Sequence, residues 1–381
     1  MASEQINKRL QNQYHILRAL HFDGACQRTQ LSKKFGIRKT SVTNIVADLL
    51  RRKIVVAEDP ESIRSPIALD NERYHALVAY ITAERIHFAR IFLNGTIEDE
   101  TSVDIKHCSY PDAIIKELTN GLNNLRQSRE EFQLGVGVSV PGFVDPEKGI
   151  SLHAVNLPDW TDIELKSILE EALDCPVLVE NDVRAQLWSC TWFDHISNLT
   201  DNIFYLNVHE GVACAIIMHG QLIIGENYAA GEIGQVYTPF CQNGNDEPQR
   251  LETYCSLPAI IRSIQSDFPN LDVHEPSDIV TALQKEPQVN NLLEQVAEHL
   301  ARVLAGLIAA IDPSAIALGT PSRGFSTCFA PILQKHLADE LKTLGAGETD
   351  LIVAEEASVS ALKGVAGLVI DQAFKTGAFS V

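Results

Sequence analysis

The fold is decided by the stretch Pro176-Val177-Leu178-Val179-Glu180-Asn181-Asp182-Val183-Arg184-Ala185. Its apolar and β-branched residues lead directly into three polar ones and then a helix-like segment, which predicts a buried strand that ends at Asn181 and Asp182. Polar side chains at the carboxyl end of such a strand lie where ligands bind in α/β sheets. The pair can hydrogen-bond to vicinal hydroxyls, and the Asp182 carboxylate can accept a proton from one of them. The same pair can also serve only to cap the following helix, so the neighbouring segments must decide.

The length and composition of the chain limit the classes of protein to which it can belong. At 381 residues it is long enough for two or three domains with sizeable cores. No apolar run approaches the roughly 20 residues that span a bilayer, and the N-terminus lacks the apolar core of a signal peptide. We therefore expect a cytoplasmic protein without membrane insertion. The eight cysteines form no Cys-x-x-Cys pair, which favours reduced thiols and no disulfide framework.

The net charge of −19 is unevenly distributed along the chain. Residues 1–53 contain 11 Lys and Arg against three Asp and Glu, a net charge of +8, so the remainder carries −27. A basic head on an acidic body indicates one small module that contacts a polyanion.

The basic head has the spacing of a helix-turn-helix module. Apolar residues three or four positions apart predict a helix over 6–23. A short second helix is predicted over 29–35 with Thr29 as its N-cap, and a longer third helix over 39–52. Gly36 makes the tight turn between them.

The third predicted helix has a polar and basic leading edge, where a recognition helix meets base edges and phosphates. Two short strands, at 54–56 and 66–69, can pair around the segment 58–65 as a wing. The residues predicted to bind DNA are Arg38, Lys39, Thr40, Ser41, Thr43, Asn44 and, in the wing, Arg64. The alternative is a basic three-helix module that only packs or dimerises, but so polar an edge has little use in packing.

Strands and helices alternate from Tyr74 onward, which predicts two α/β lobes with a cleft between them. Long helices dominate after residue 257. Those at 289–311 and at the C-terminus are candidates for a subunit interface or for core. The predicted division is a winged helix-turn-helix at 1–70, a first lobe at 71–185 and a second lobe at 186–381.

The body carries five motifs in a specific order: Val138-Ser139-Val140-Pro141-Gly142-Phe143-Val144-Asp145, Asn156-Leu157-Pro158-Asp159-Trp160, Glu180-Asn181-Asp182, Ala229-Ala230-Gly231-Glu232-Ile233-Gly234-Gln235 and Leu251-Glu252. This order resembles the ROK family of repressors and sugar kinases over nearly the whole chain. The helix-turn-helix head is similar to that of the family's transcription factors, such as its xylose-type and N-acetylglucosamine-type repressors. The resemblance implies an actin-like, two-lobed sugar-kinase fold behind the winged helix-turn-helix.

The resemblance also implies a sugar site. The residues carried over from the family's motifs are Asn181, Asp182, Glu232, Gln235 and Glu252. In the family's kinases the Asn-Asp pair holds sugar hydroxyls and its Asp is the general base. Gln235 stands where the family has His, and an amide can hydrogen-bond to a hydroxyl but cannot titrate.

Three stretches depart from the family's ATP-binding loops. They are Tyr80-Ile81-Thr82-Ala83-Glu84 in place of Asp-x-Gly-Gly-Thr, His209-Glu210-Gly211-Val212-Ala213 in place of a Gly-Thr-Gly loop, and Ala317-Leu318-Gly319-Thr320-Pro321 on the adenosine side. Losing glycines removes close backbone approach to phosphate, and carboxylates repel it. We therefore expect no ATP, no catalytic residue and no cofactor, with Asp182 kept as a sugar ligand.

The family's zinc site is also altered. One thiol, Cys241, remains of the Cys-x-Cys-Gly-x-x-Gly-Cys motif, while Gln235 and Arg250 replace two other ligands. Four N or S donors are the usual requirement for structural zinc, so we expect no metal.

The leading hypothesis is a sugar-responsive DNA-binding regulator, most simply a repressor. As a homodimer or dimer of dimers it would bind operator DNA through two heads, and a sugar or sugar phosphate would change their spacing. Two alternatives stay open at this point. One is an active ATP-dependent sugar kinase with a DNA-binding head, and the other is a regulator that responds to a protein partner.

Overall fold

The computed structural model describes residues 2–129, 132–194, 202–238, 248–345, 347 and 349–379. The contacts divide the chain into two compact units, one of residues 1–182 with 362–381 and the other of residues 183–361. Both contain mixed α/β structure, which confirms the predicted class.

The first unit begins with three helices and a two-stranded hairpin. These elements are α1 (Ala2–Asp23), α2 (Arg28–Phe35), α3 (Lys39–Arg51), β1 (Val55–Ala57) and β2 (Ile67–Leu69). The strands pair antiparallel, with Val55 opposite Leu69. The apolar faces of the helices meet in a small core that includes Leu17, Leu31 and Val46, all fully buried. The helix and hairpin order expected for residues 1–70 is therefore present.

The start of α2 differs from the prediction. Thr29 lies inside the helix and is not its N-cap, since α2 begins at Arg28 after Gln27. The side chain of Gln30 accepts a hydrogen bond from the backbone N–H of Gln27 at 2.8 Å. A Gln side chain three residues downstream thus closes the helix start, as in a capping box.

The remaining elements of the first unit form an α/β layer around a five-stranded sheet. They are β3 (His75–Ile81), β4 (Arg85–Phe92), β5 (Ile97–Asp104), α4 (Pro111–Ser128), β6 (Gln133–Val140), β7 (Phe143–Asp145), β8 (Ile150–His153), β9 (Thr161–Ile163), α5 (Leu165–Leu173) and β10 (Val177–Asn181). The sheet order is β10-β6-β3-β4-β5, and β7, β8 and β9 form a separate small sheet. The strand β10 is parallel to β6 and ends at Asn181, which confirms the strand predicted from the stretch Pro176 to Ala185.

The second unit repeats this sheet plan. Its elements are α6 (Asp182–Trp192), β11 (Ile203–Val208), β12 (Val212–Met218), β13 (Gln221–Leu222), β14 (Tyr237–Thr238), β15 (Gln249–Arg250), α7 (Glu252–Cys255), α8 (Leu257–Asp267), α9 (Pro276–Lys285), α10 (Val289–Ile311), β16 (Ala315–Gly319), α11 (Arg323–Leu344) and β17 (Asp350–Val353). The order β13-β12-β11-β16-β17 again places antiparallel strands beside parallel ones. The long helix α10 contributes Leu293, Leu300 and Leu304 to the core of this unit, so one of its faces is core.

The C-terminal helix α12 (Ala357–Thr376) belongs from Leu362 onward to the first unit, although we expected it in the second lobe. A close backbone contact explains this placement. A Cβ atom at Gly137 of β6 would lie 2.8 Å from the carbonyl oxygen of Val365 and 2.9 Å from its Cβ. Only a residue without a side chain allows the helix so near the strand. The three-way division of the chain remains a prediction.

The end of α12 also holds the N-terminal helices. The hydroxyl of Tyr14 donates to Asp371 at 2.9 Å, and the ammonium of Lys375 lies 2.6 Å from the same carboxylate. Arg52, which directly follows α3, donates to the carbonyl of Gly377 at 2.8 Å. Asp371 is only 3% exposed, and hydrogen bonds to a buried charge are among the stronger ones. Long-range polar contacts therefore fix the head within its unit.

Among the described residues, no helix has both the length and the apolar character that crossing a bilayer requires.

Replacing Gly137 with Ala tests the contact between β6 and α12. We expect Gly137→Ala to lower the free energy of unfolding by about 1–3 kcal/mol, because the added methyl must displace Val365. The matched control is Gly306→Ala on α10, where nothing lies within 4 Å of an added Cβ. Urea unfolding should show the control unchanged or stabilised by up to about 1 kcal/mol. Equal effects of the two substitutions would show that α12 tolerates displacement.

Candidate functional site

The first candidate surface lies at the start of α3. Its residues Arg38, Lys39, Thr40 and Asn44 are exposed, while Ser41 and Thr43 are half-buried. The opposite face of the helix carries Val42, Ile45, Val46 and Leu49, which are buried. The amphipathic pattern thus leaves the polar edge of α3 to solvent, as the sequence predicted.

A cavity of about 360 Å³ lies between this edge and the wing hairpin. It is lined by Gln27, Arg28, Thr29, Lys39, Thr43, Ile63 and Arg64. Three of these residues are cationic, and all come from the start of α2, the start of α3 or the wing. The structure therefore brings Lys39, Thr43 and Arg64 of the predicted set to one cavity.

The hydroxyl of Thr43 is already used as a donor. It donates to the carbonyl of Lys39 at 2.9 Å, within the helix. Its oxygen lone pairs stay available, so Thr43 can accept a hydrogen bond from a base amino group but has no proton to offer a phosphate in this conformation.

The second candidate group is the Asn181 and Asp182 pair at the end of the first unit. The Asn181 amide donates to the carbonyl of Gly142 at 2.8 Å and to the Asp182 carboxylate at 3.0 Å. Gly142 has a φ of +83°, and a Cβ there would overlap the carbonyl oxygen of His153. The predicted Pro141-Gly142 turn and the Asn-Asp pair are therefore neighbours, and the amide holds its carboxylate in one orientation.

The third candidate group lies in the second unit and brings together Glu232, Gln235 and Glu252. The Gln235 amide donates to the Glu252 carboxylate at 2.9 Å. Gly231 has a φ of +100° at a point where a Cβ would overlap the carbonyl oxygen of Cys214. The backbone N–H of Cys214 in turn donates to the Gly231 carbonyl at 2.8 Å. This pairing fixes the loop that carries Glu232 against β12.

The electrostatics of this cluster distinguish Glu232 from its neighbours. Burial raises the pKa of the Glu232 carboxyl, the nearby Glu252 charge raises it further, and the Arg184 guanidinium lowers it. Two carboxylates and one amide side by side provide several hydrogen-bond acceptors and an N–H donor. Such a set suits the vicinal hydroxyls of a polyol.

Two residues near these groups were not assigned a function from the sequence. Arg184, on α6, is 3% exposed and acts electrostatically on Glu232. The sequence feature that could have indicated it is a basic residue two positions after the Asn-Asp pair, in a helix whose other residues are mostly buried. Arg28 lines the cavity beside the wing. In the sequence it counted only among the basic residues of the head, since the second helix was predicted to begin after it.

The loops compared with ATP-binding motifs have local geometry of their own. Thr82 closes the turn between β3 and β4, where its N–H donates to the Arg85 carbonyl at 2.8 Å. The Glu84 carboxylate lies 2.9 Å from the ammonium of Lys106, which weakens the repulsion expected from it. In the second unit the N–H of His209 donates to the Gly211 carbonyl at 2.9 Å, and Glu210 is exposed on this tight turn.

The third of these stretches packs closely against the neighbouring strand β11. A Cβ at Gly319 would overlap the hydroxyl oxygen and ring of Tyr205. Thr320, only 1% exposed, donates to the carbonyl of Ser322 at 2.8 Å at the start of α11.

No group of three or more His, Cys, Asp or Glu suited to a metal ion occurs in the part of the chain that the structure describes. Cys241, the remaining thiol of the zinc motif, lies outside the described residues. The expectation of no zinc stays a prediction.

Comparisons with known proteins agree with this layout. The family model for the ROK family matches residues 81–372. A putative xylose repressor from Caldicellulosiruptor sp. strain Rt8B.4 is 25% identical over 356 residues, which cover 87% of each chain. Among solved structures, a ROK family transcriptional regulator described as a homolog of the E. coli MLC protein matches 97% of this chain and 98% of its own, with a TM-score of 0.83 and 18% identity. A ROK family glucokinase from Streptomyces griseus, solved with glucose and AMPPNP, matches 77% of this chain and 98% of its own, with a TM-score of 0.66 and 21% identity. The predicted α/β fold of the ROK sugar-kinase type is thereby confirmed, whereas the winged helix-turn-helix at 1–70 stays a prediction.

Replacing Glu232 with Gln tests how much the half-buried carboxylate charge destabilises the folded state. Because the folded-state pKa of Glu232 is raised, its charged form costs stability at neutral pH. We expect Glu232→Gln to unfold at a higher temperature than the wild type at pH 7. The increase in unfolding temperature should be fully present above the folded-state pKa of Glu232. It should disappear as the pH falls below the pKa of this carboxyl in the unfolded chain.

The control is Glu226→Gln, the same chemical change at an exposed position of the same unit. It should leave the unfolding temperature nearly unchanged at every pH. If Glu232→Gln is instead destabilised at pH 7, the carboxylate makes a net stabilising contact and the interpretation of the cluster is wrong.

Proposed function

The chain belongs to the ROK family, and we propose that it is a sugar-responsive transcriptional repressor whose kinase-like body binds a sugar without phosphorylating it. The observation that carries this proposal is the exposed polar edge of α3 beside a wing that carries Arg64. A buried apolar face opposite such an edge is the arrangement of a recognition helix. The similarity to a ROK transcriptional regulator extends over 97% of the chain and so includes this head.

In this proposal, different residues at the start of α3 contact the phosphates and the bases of DNA. Arg38 and Lys39, exposed at its start, neutralise phosphates, and phosphate contacts position a protein without reading sequence. Thr40, Ser41, Thr43 and Asn44 reach base edges in the major groove, where amide and hydroxyl groups can discriminate bases. Arg64 contacts DNA from the wing.

In this proposal the sugar is bound by hydrogen bonds from the residues carried over from the family's motifs, which are Asn181, Asp182, Glu232, Gln235 and Glu252. The Caldicellulosiruptor relative is named for xylose, which makes xylose the first sugar to test. Gln235 donates a hydrogen bond to the Glu252 carboxylate. An amide does not titrate, so Gln235 cannot act as a general acid.

Loss of ATP binding rests on the three altered loops. Glu210 places an exposed carboxylate on the tight turn after β11. This negative charge opposes an anionic nucleotide. The rival function, an active sugar kinase, is favoured by the intact Asn181 and Asp182 pair, because its carboxylate is suited to accept a hydroxyl proton.

We also propose that the protein acts as a homodimer or a dimer of dimers. A pair of heads would match two operator half-sites about one helical turn apart. Light scattering in solution measures this state directly.

Lys39→Ala tests the proposed phosphate contact. Each phosphate contact releases condensed counterions, so its removal should weaken DNA binding and reduce the slope of log affinity against log salt by about one. Fluorescence anisotropy with a duplex recovered by the wild-type protein from a randomised library gives both quantities. Lys8→Ala, an exposed cation on α1 outside the cavity, should leave the slope unchanged. Equal slopes for wild type and Lys39→Ala would remove Lys39 from the interface.

Thermal unfolding with added ligands tests the sugar part of the proposal. We expect one sugar or sugar phosphate from a panel to raise the unfolding temperature, because a ligand that binds only the folded state stabilises it. Mg²⁺-ATP should produce no shift and no turnover with any sugar. The variant Glu252→Gln should lose the sugar response while it keeps DNA affinity.

Two results would contradict this scheme. A clear shift with ATP, followed by sugar-dependent release of ADP, would make the chain a kinase with a DNA-binding head. DNA binding without a response to any sugar would favour regulation by a protein partner.

A further inference from the structure

The wing hairpin by itself has no net attraction for DNA. Between its two strands it carries Glu58, Asp59 and Glu61 against a single cation, Arg64. All four residues are exposed. Because the carboxylates would be repelled by phosphates, the hairpin helps binding only if it is held with Arg64 toward the DNA. The device that sets this orientation is therefore important to the proposed function.

Hydrogen bonds within the hairpin shape its tip but do not fix it to the helices. The N–H of Glu58 donates to the carbonyl of Pro66 at 3.2 Å, and the N–H of Asp59 to the Ser65 hydroxyl at 2.7 Å. A further bond at 3.0 Å joins the Ser65 N–H to the Ser62 carbonyl. A two-stranded hairpin of this length needs support from outside.

That support comes from the segment before and at the start of α2. Cys26 and Ile67 exchange two backbone hydrogen bonds, at 2.9 Å and 3.0 Å, at the base of the hairpin. Nearer the tip, one guanidinium nitrogen of Arg28 donates to the carbonyl of Ile63 at 2.8 Å and to that of Ser65 at 3.3 Å. These two carbonyls flank Arg64 on both sides.

The chemistry of Arg28 suits this position. Both hydrogen bonds come from one terminal nitrogen, Nη1, which lies one covalent bond farther from the backbone than the ammonium nitrogen of a lysine would. Its side chain is half-buried and lines the same cavity as Arg64 and Lys39. The nitrogen that donates to the hairpin is thereby engaged with carbonyls and not directed at solvent.

We propose that Arg28 is a positioning residue for DNA binding, which acts through Arg64 by clamping the two wing carbonyls beside it. This inference rests on the proposed function, since it requires that the head binds DNA. Arg28 contributes no independent phosphate contact in this scheme. Without Arg28 the wing hairpin is free to change its orientation. Arg64 then loses its contact with DNA, and the three carboxylates of the hairpin are no longer kept away from the phosphates.

A double-mutant cycle separates positioning from direct contact. We expect Arg64→Ala to weaken binding to the library-selected duplex by about tenfold, and Arg28→Ala by a similar factor. The double variant should be no weaker than the weaker single variant. Arg28→Lys, which keeps the charge but ends one covalent bond short of the Nη1 position, should behave like Arg28→Ala. Independent, multiplicative losses for Arg28 and Arg64, or full rescue by Lys, would overturn the proposal and make Arg28 a phosphate ligand.

A second cycle, between Arg28→Ala and Lys39→Ala, excludes a general loss of folding. Lys39 lies on α3 and not on the wing, so these two losses should multiply. If they fail to multiply, Arg28 supports the whole head and not the wing, and the proposal is wrong. Failure of the wild-type protein to recover any duplex from the library would refute the proposed function itself, which is distinct from either outcome of the cycles.

Discussion

The close approach of α12 to β6 is the constraint on which the first unit depends. Gly137 has no side chain at the point where the Val365 carbonyl meets the strand, so the helix can lie directly against the sheet. The same helix then presents Asp371 to Tyr14 and leads to the carbonyl that Arg52 engages. One helix thus joins the α/β layer to the helices of the head, and the position of α3 depends on contacts made more than 300 residues away in sequence.

These contacts also show which parts of the fold the sequence can reveal. The strand β10 and its Asn181 and Asp182 were predictable, because a run of apolar residues ending in polar ones is a local pattern. The same holds for the polar edge of α3, which follows from helical periodicity. The membership of α12 in the first unit was not predictable, since it depends on a glycine in a strand far away in the chain. Periodicity reports which face of an element is buried, but not which element covers it.

The candidate site shows the same limit in its side chains. Motif order assigned Glu232, Gln235 and Glu252 to one function, and the structure brings these three together. Arg184 and Arg28 escaped notice for different reasons. The first is a cation inside a helix buried on most sides, and the second donates to backbone carbonyls that no sequence motif records. Residues that position others leave little trace in a motif, because their partners are main-chain atoms.

In the proposed function, the residues that bind the sugar are different from those of the altered nucleotide loops, which is how a kinase fold can serve as a sensor. The proposed sugar ligands follow β10 or lie around α7, whereas the altered loops follow β3, β11 and β16. Even the loop after β11, where a Cβ at Gly211 would lie 3.3 Å from the Glu252 carboxylate, contributes none of these ligands, so loss of nucleotide binding can leave the sugar contacts in place. A regulator gains from the loss of nucleotide binding, because an effector that is phosphorylated on binding is consumed. An effector that is bound reversibly instead occupies the protein in proportion to its own concentration. Reversible binding is also what linkage to DNA affinity requires, because the coupling between two sites is a difference between equilibrium binding free energies.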